Sequence, residues 1–400
     1  MDDASAAYEI ITDEAGFRAI QSEWDDLWTR ARGWYYQSFN VCWIAWEQIA
    51  KPRGRGLHII VRREAGNAVL IFPLVTYKKA LWTSLVPLNS ESAEFTSILV
   101  EDNERTAALI EGAWNIARKR CGADFIYMPN IPDSTDLYRL ALKERHVVAC
   151  KQLPHYLAKL DEESKRDDWK GFCDSLGALH GKKPGKVEQR LGTAGKVRID
   201  VVDWTDPGRI VESIDTLLTW KRIWGARVDK QGQWLDSEHY RNFLVAWLSA
   251  ESATAKGHAI IVTVNDTAVA VNLMCTDARG VTGVIASFDP AFAKWSPGVL
   301  TLEVALKWAF ERSLDFELGP DSEAFKPYWS RGNKSYCCTV QSANSLWGVV
   351  ALYTLRWLRN AVKRVRTLAG HVESPQAEPS KRSVDSPADN DFTQKERPAS

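Results

Sequence analysis

Four hundred residues carry 51 lysines and arginines against 51 aspartates and glutamates, and this balance removes any global argument for nucleic-acid binding. The length exceeds one ordinary domain, so two are expected, each with its own core. Seven cysteines, an odd number without a C-x-x-C pair, point to small buried residues in a reducing compartment and away from a disulfide framework or a metal site.

In chain order, EAGFRAIQSEWDDLWTRA and FNVCWIAWEQIA have helical periodicity. LHIIVRREAGNAVLIFPLVTY reads as a hairpin turning at Gly66 and Asn67. FTSILV is a strand, ERTAALIEGAWNIARKR a helix, DFIYMPN a strand and TDLYRLALKE a helix. These elements fill a first unit over 1–160. Residues 161–200 form a basic segment, and Gly177, Gly181, Gly185, Gly192, Gly195 and Pro184 argue against one long helix there. Such a stretch either connects two units through solvent or closes over an anionic ligand.

A second unit is expected over 201–345. SIDTLLTWKRIWGA and SEHYRNFLVAWLSA are helical, and GHAIIVTV and TAVAVNLMC flank the turn residues Asn265 and Asp266 as a hairpin. VTGVIASF completes a three-strand meander. A helix to about Ser313, a strand in LDFELG, a short helical piece at EAFKPYW and strands from SYCCTVQSA follow. The two units thus repeat one order, and AWNIARKRCGADF echoes LKWAFERSLDF at equivalent places. Two copies of one α/β unit with a mixed, largely antiparallel sheet, packed face to face, are the expectation.

Within 346–371, WGVVALYTLRWLRNAVKRVRTLAG reads as a helix with Arg356, Arg359, Lys363, Arg364 and Arg366 and without one acid. A basic amphipathic helix either lies on an anionic membrane surface or packs on its domain with its charges in water. Residues 372–400 are rich in Pro, Ser and charge and are expected to be disordered. No basic-then-apolar leader and no run of 18 apolar residues occurs, so a cytoplasmic protein is expected, peripheral to the membrane at most.

The junction FDPAFAKWSPGVL separates the last meander strand from its helix. With Ser296 as N-cap, Pro297 takes the first helical position, where its missing N–H costs nothing. Gly298 then presents bare backbone, and the amides of Gly298, Val299 and Leu300 would face outward at the positive helix end, where an anion binds well. Ordinary helices begin this way too, so the triplet alone does not decide. The first unit has acids at the matching place, in LVEDNERTAAL, which would repel a pyrophosphate.

Three antiparallel strands, such a turn, a helix and a further strand is the order used by GNAT acyltransferases. The block FDPAFAKWSPGVLTLEVALKWAFERSLDFELG with FKPYW resembles the acetyltransferase domain of the CelD/BcsL family, itself related to the FemAB peptidyl transferases with their two GNAT-like halves. The resemblance is strong over 257 to about 340 and weaker from about residue 8. It implies acetyl-CoA as acyl donor, with its pyrophosphate on Ser296, Pro297, Gly298, Val299 and Leu300 and no metal. Asp289 and Pro290 match the family's Asp-Pro, and Phe316 and Gly319 match its Asp-Phe-x-x-Gly strand. Phe325 and Lys326 stand where the family has Tyr-Lys and would contact substrate; Tyr328 is the nearest replacement for the lost hydroxyl. Asp289, Glu303, Glu317 and His258 are candidates for the base that direct acyl transfer needs; Asp289, at the strand end, leads, with Glu317 and Tyr328 beside it as catalytic candidates. The acceptor implied is a sugar or amino-sugar of a cell-envelope or extracellular polysaccharide. An aminoacyl transferase using charged tRNA and a non-catalytic partner of a polysaccharide synthase are the alternatives.

Overall fold

A computed structural model gives the fold and describes residues 8–79, 81–144, 147–179, 181, 183–227, 235–354, 357–358 and 361. The first half opens with β1 (Tyr8–Ile11), α1 (Glu14–Ala19) and α2 (Gln21–Arg30); the helix expected over this stretch breaks at Ile20. Asp13 starts α1 by accepting the Gly16 N–H at 2.8 Å. Helix α3 (Phe39–Ala45) follows and widens into a π-helical turn over Trp46–Ala50. Strands β2 (Gly56–Glu64), β3 (Asn67–Lys79) and β4 (Trp82–Pro87) form an antiparallel meander. Its first hairpin turns on Ala65 and Gly66, both at positive φ, one residue earlier than expected. The FTSILV strand shrinks to β5 (Leu99–Val100), after which come α4 (Thr106–Arg120), β6 (Phe125–Pro132), α5 (Asp136–Lys143) and β7 (Val147–Ala158).

The second half repeats the order. Helices α6 (Leu160–Ser164), α7 (Trp169–Leu176) and α8 (Val187–Leu191) precede β8 (Val197–Val202), which takes the place of β1. Helices α9 (Pro207–Arg227) and α10 (Glu238–Leu248) lead to the meander β9 (Lys256–Val264), β10 (Thr267–Asp277) and β11 (Gly280–Phe288). Then come α11 (Pro297–Phe310), β12 (Phe316–Pro320), α12 (Phe325–Trp329) and β13 (Lys334–Ala343). Asn265 and Asp266 sit at φ 49° and 62°, a left-handed conformation that short polar side chains tolerate best.

Among the described residues all strands join one sheet, in the order β1-β2-β3-β4-β6-β13-β7-β12-β11-β10-β9-β8, with β5 on β3. Two pairs are parallel, β4 with β6 and β11 with β12, and they hold equivalent places in the two halves. The last strand of each half crosses over: β7 pairs with β12, β13 pairs with β6, and the two pair with each other in the middle. The halves, expected to pack face to face, therefore lie edge to edge, each sheet completed by a strand of the other.

The meander strands are buried on both faces. Ile59 and Val61 of β2 point into a core shared by α1–α3 and α9–α10, where Phe17, Trp24, Phe243 and Trp247 are almost free of solvent. Ile60, between them, points to the opposite face under α4 and α5 with Phe72 and Trp114. Ile260 and Met274 likewise face Phe310 and Phe316 under α11. Each aliphatic or Phe side chain so buried contributes about 1.5–3 kcal/mol. This two-sided burial explains why the strands read as near-continuous apolar runs. All seven cysteines are free thiols.

A last helix over 346–354 follows β13. The basic residues Arg356, Arg359, Lys363, Arg364 and Arg366 and the tail 372–400 lie outside the described residues. No described helix is long and apolar enough to cross a membrane.

Candidate functional site

Strands β11 and β12 meet only at Val281 opposite Phe316 and Thr282 opposite Glu317. Beyond this fork β11 runs on to Phe288, while β12 bends at Gly319 (φ 80°) and pairs with β7 at Pro320 opposite His155. A slot therefore opens along residues 283–288 of β11, whose outward backbone groups pair with no strand among the described residues. Within it, the ladder to β10 slips between Ile285 and Gly283, leaving Val284 as the extra residue of a bulge. Lys221 of α9 reaches the slot and donates to the Ala286 carbonyl at 3.2 Å.

At the far end of the slot the chain enters α11. Asp289 caps the 3-10 turn Pro290–Trp295, its carboxylate accepting the Ala291 N–H at 2.9 Å. Ser296 occupies the N-cap position in the left-handed region, φ 59°, and its side chain makes no capping bond. That conformation is strained for a non-glycine residue and persists only where its surroundings hold it. The Val299 and Leu300 amides, expected to face outward, turn back onto the Ser296 carbonyl at 3.0 and 3.4 Å. Gly298 keeps the one amide of this turn without a backbone acceptor among the described residues. Its missing side chain serves the fold: a Cβ there would come within 2.9 Å of the Phe288 ring.

The segment 161–200 is no bare connector. Val187 and Leu191 of α8 are buried with Leu300 of α11, and Phe172 of α7 is buried beside Phe310. Arg190 donates to the Lys294 carbonyl, Trp295 donates to the Thr193 hydroxyl at 3.1 Å, and the Gly185 N–H donates to Glu303 at 2.6 Å. A basic segment thus lies docked against the turn that opens α11.

On the opposite face of the sheet, at the seam of the two halves, lies a cavity of about 770 Å³. Trp34, Tyr36, Phe95, His155, Arg279 and Glu317 are among its walls. Trp34 and Tyr36 stack at 5.8 Å, and the Arg279 guanidinium covers Trp34 at 3.9 Å. Asp277 is held by the N–H groups of Tyr35, Arg279 and Gly280, while burial pushes its carboxyl up. Glu317 accepts the Gly319 N–H at 2.9 Å and lies 3.3 Å from His155 Nδ1. An ionised carboxylate only accepts, so Nδ1 carries the proton and Nε2 is the basic nitrogen. That Nε2 is buried without a hydrogen-bond partner among the described residues, and a carboxylate oxygen of Asp133 stands 4.0 Å away. Glu94 leans on Gly319, where a Cβ would lie 2.6 Å from its carboxylate. Glu94 keeps contact with solvent while its carboxyl sits among protein groups; that enclosure raises its pKa, with Lys326 opposing and Glu317 adding.

Of the residues singled out in the sequence, Glu317 reaches this cavity. Asp289 does not line it, and its carboxylate is engaged as a cap. Tyr328 donates to the Gly177 carbonyl at 3.0 Å and ties α12 to α7, and burial pushes its phenol up to about 12. Lys326, expected to meet substrate, is buried, donates to the Pro320 carbonyl and pairs with Glu323 at 2.8 Å. Phe325 packs beside it at the edge of the α11 core. His258 lies on the Trp308 ring at 5.0 Å, and burial lowers its pKa. Sequence reasoning missed His155, Lys221 and the Val284 bulge, which acquire meaning only through strand pairing.

Residues 183–327 match the Acetyltransferase (GNAT) domain family. Among solved structures, FemX is 13% identical with a TM-score of 0.52, covering 87% of this chain and 99% of that one. A tandem GNAT protein from the clavulanic acid biosynthesis pathway is 11% identical with a TM-score of 0.50, covering 84% and 99%. At such identities the likeness is one of fold: mixed α/β, two GNAT-like units in one chain. No curated protein matches.

Proposed function

We propose that the chain transfers an acyl group, acetyl in the simplest case, from a coenzyme A thioester to an acceptor seated in the seam cavity. The observation that carries this reading is the fork between β11 and β12, which opens an unpaired backbone edge between the α11 turn and the Glu317–His155 pair. An extended pantetheine arm fits such an edge by the hydrogen bonding that adds a strand to a sheet. The Gly298 amide and the α11 dipole, with Lys294 and Arg190 close by, suit a pyrophosphate.

In this reading an amine or hydroxyl of the acceptor attacks the thioester carbonyl carbon. The C–N or C–O bond forms, the C–S bond breaks, the proton passes to His155 Nε2, and coenzyme A leaves as its thiolate. Glu317 fixes the tautomer of His155 and offsets the charge it gains. The amide of bulge residue Val284 is the donor proposed for the carbonyl oxygen as it turns negative. The stacked Trp34 and Tyr36 and the polar walls suit the flat faces and hydroxyls of a sugar. The resemblance of 257–340 to the CelD/BcsL acetyltransferase domains supports an amino-sugar or sugar of an envelope or extracellular polysaccharide as acceptor.

The test is thiol release from acetyl-CoA with a panel of amino-sugars and sugars, beside calorimetric titration of acetyl-CoA. Acceptor-dependent release is expected, with kcat lowered about 10²–10⁴-fold in His155→Asn and acetyl-CoA affinity retained. Glu317→Gln should lose less and shift the pH profile of kcat, because it disturbs the orientation of the base. Binding of aminoacyl-tRNA without any acetyl-CoA binding would reject the reading, and so would undiminished kcat in His155→Asn.

A further inference from the structure

The last helix carries an apolar face that nothing in the described fold covers. Ser345 caps it, accepting the Gly348 N–H at 2.9 Å. Gly348 lets the helix backbone lie on the turn before β6, for a Cβ there would stand 1.8 Å from the Asp124 carbonyl oxygen. Ala351 and Leu352 go inward against Phe125 and Ala343. The helix is therefore seated firmly on its protein side. Its outward positions are Leu346, Val350 and Tyr353, at the spacing of one stripe of an α-helix, and Trp357 beyond them is exposed as well. These side chains are 87%, 48%, 58% and 67% exposed. Leu81, 75% exposed in the β3–β4 hairpin, lies beside this helix: the Trp347 indole donates to its carbonyl at 3.3 Å, and the Trp347 ring meets Trp82 at 5.6 Å.

An apolar stripe of this size is costly in water and marks a contact surface. Its composition says of what kind. Trp and Tyr have an apolar body and one polar tip, the form that suits a boundary between hydrocarbon and water. The chain then continues through Arg356, Arg359, Lys363, Arg364 and Arg366, with no acid before Glu373. A second copy would bring an equal excess of positive charge in its own sequence, whereas an anionic surface complements it. A negatively charged lipid surface meets both features at once. We propose that Leu346, Val350 and Tyr353, with Trp357 and Leu81, dock the molecule on an anionic phospholipid bilayer. The aromatic and aliphatic side chains enter the interface, and the positive charge of the sequence that follows favours anionic headgroups over neutral ones. This surface is independent of the transfer chemistry.

The test is co-sedimentation of the full chain with vesicles of phosphatidylcholine, and of phosphatidylcholine with phosphatidylglycerol. Binding is expected to the anionic vesicles, weakened tenfold or more at about 1 M salt, where the screening length falls to about 3 Å. The double substitution Leu346→Glu with Trp357→Glu should weaken it tenfold or more while leaving the melting temperature unchanged, since both side chains are largely exposed. Arg359→Glu with Lys363→Glu should weaken it independently. Equal binding to neutral vesicles would overturn the proposal, as would the absence of vesicle binding, or a dimer in gel filtration that the Leu346/Trp357 double variant dissolves without any lipid affinity.

Discussion

Glu303 shows what a single carboxyl can do besides catalysis. Its Oε1 accepts the Gly185 N–H, and its Oε2 is buried without a partner among the described residues. Burial raises its pKa, the Gly185 bond offsets part of this, and Glu188 adds to the rise. The folded state therefore holds this proton more tightly than the unfolded chain does. Its contribution to stability is full below the ordinary carboxylate range and declines as pH rises through the raised value. Glu303→Gln keeps an oxygen for Gly185 and removes the titration. The melting temperature of the variant minus that of the native protein should increase from acid to neutral pH in circular-dichroism melts, and a difference independent of pH would refute the account. At this scale the sequence was half legible. Glu317 was visible through its Asp-Phe-x-x-Gly setting, but its partner His155 lies 162 positions away and has no local sign.

Helix α11 and its turn set what can be tested at the level of elements. Substituting Gly298 would press a side chain on Phe288, confusing ligand repulsion with strain. Val299 is the cleaner position, since it is 39% exposed in the first turn, where an acid is well tolerated by the helix. Val299→Asp places a negative charge beside the proposed pyrophosphate site. Coenzyme A affinity should fall about tenfold by calorimetry, a change of about 1.4 kcal/mol, with the melting temperature kept. An unchanged affinity would show that this turn serves only to start the helix. The meanders, α9, α10 and α11 were legible because burial on two faces, or on one helical stripe, leaves a regular pattern. Strand β7 was not: Lys151 and Gln152 break its apolar run, and Pro154 argues against a central strand. It is tolerated there at a place where β12 is irregular, between Glu317 and Pro320.

For the whole molecule, the exchange of β7 and β13 is the governing feature. The sequence repeat announced two like units, and their sheets do hold like strands in like order. That each unit borrows its last strand is a long-range fact without a local trace, and it is why the halves could not be placed from sequence. Cutting the chain in the α6 region should therefore not release two stable domains. Residues 1–160 alone should aggregate, because β6 lacks β13 and β7 lacks β12, and exposed edges of this length recruit one another. Co-expression with 161–400 should restore a soluble complex by gel filtration, and a soluble, cooperatively melting 1–160 fragment would contradict this reading. The same exchange sets a timetable for synthesis. His155 leaves the ribosome 162 residues before Glu317, roughly 8–30 s earlier at about 5–20 residues per second. Through that interval the nascent first half holds a strand with no partner in the second half, so the pair of residues forms only once β12 has been made, and the seam is complete only when β13 follows.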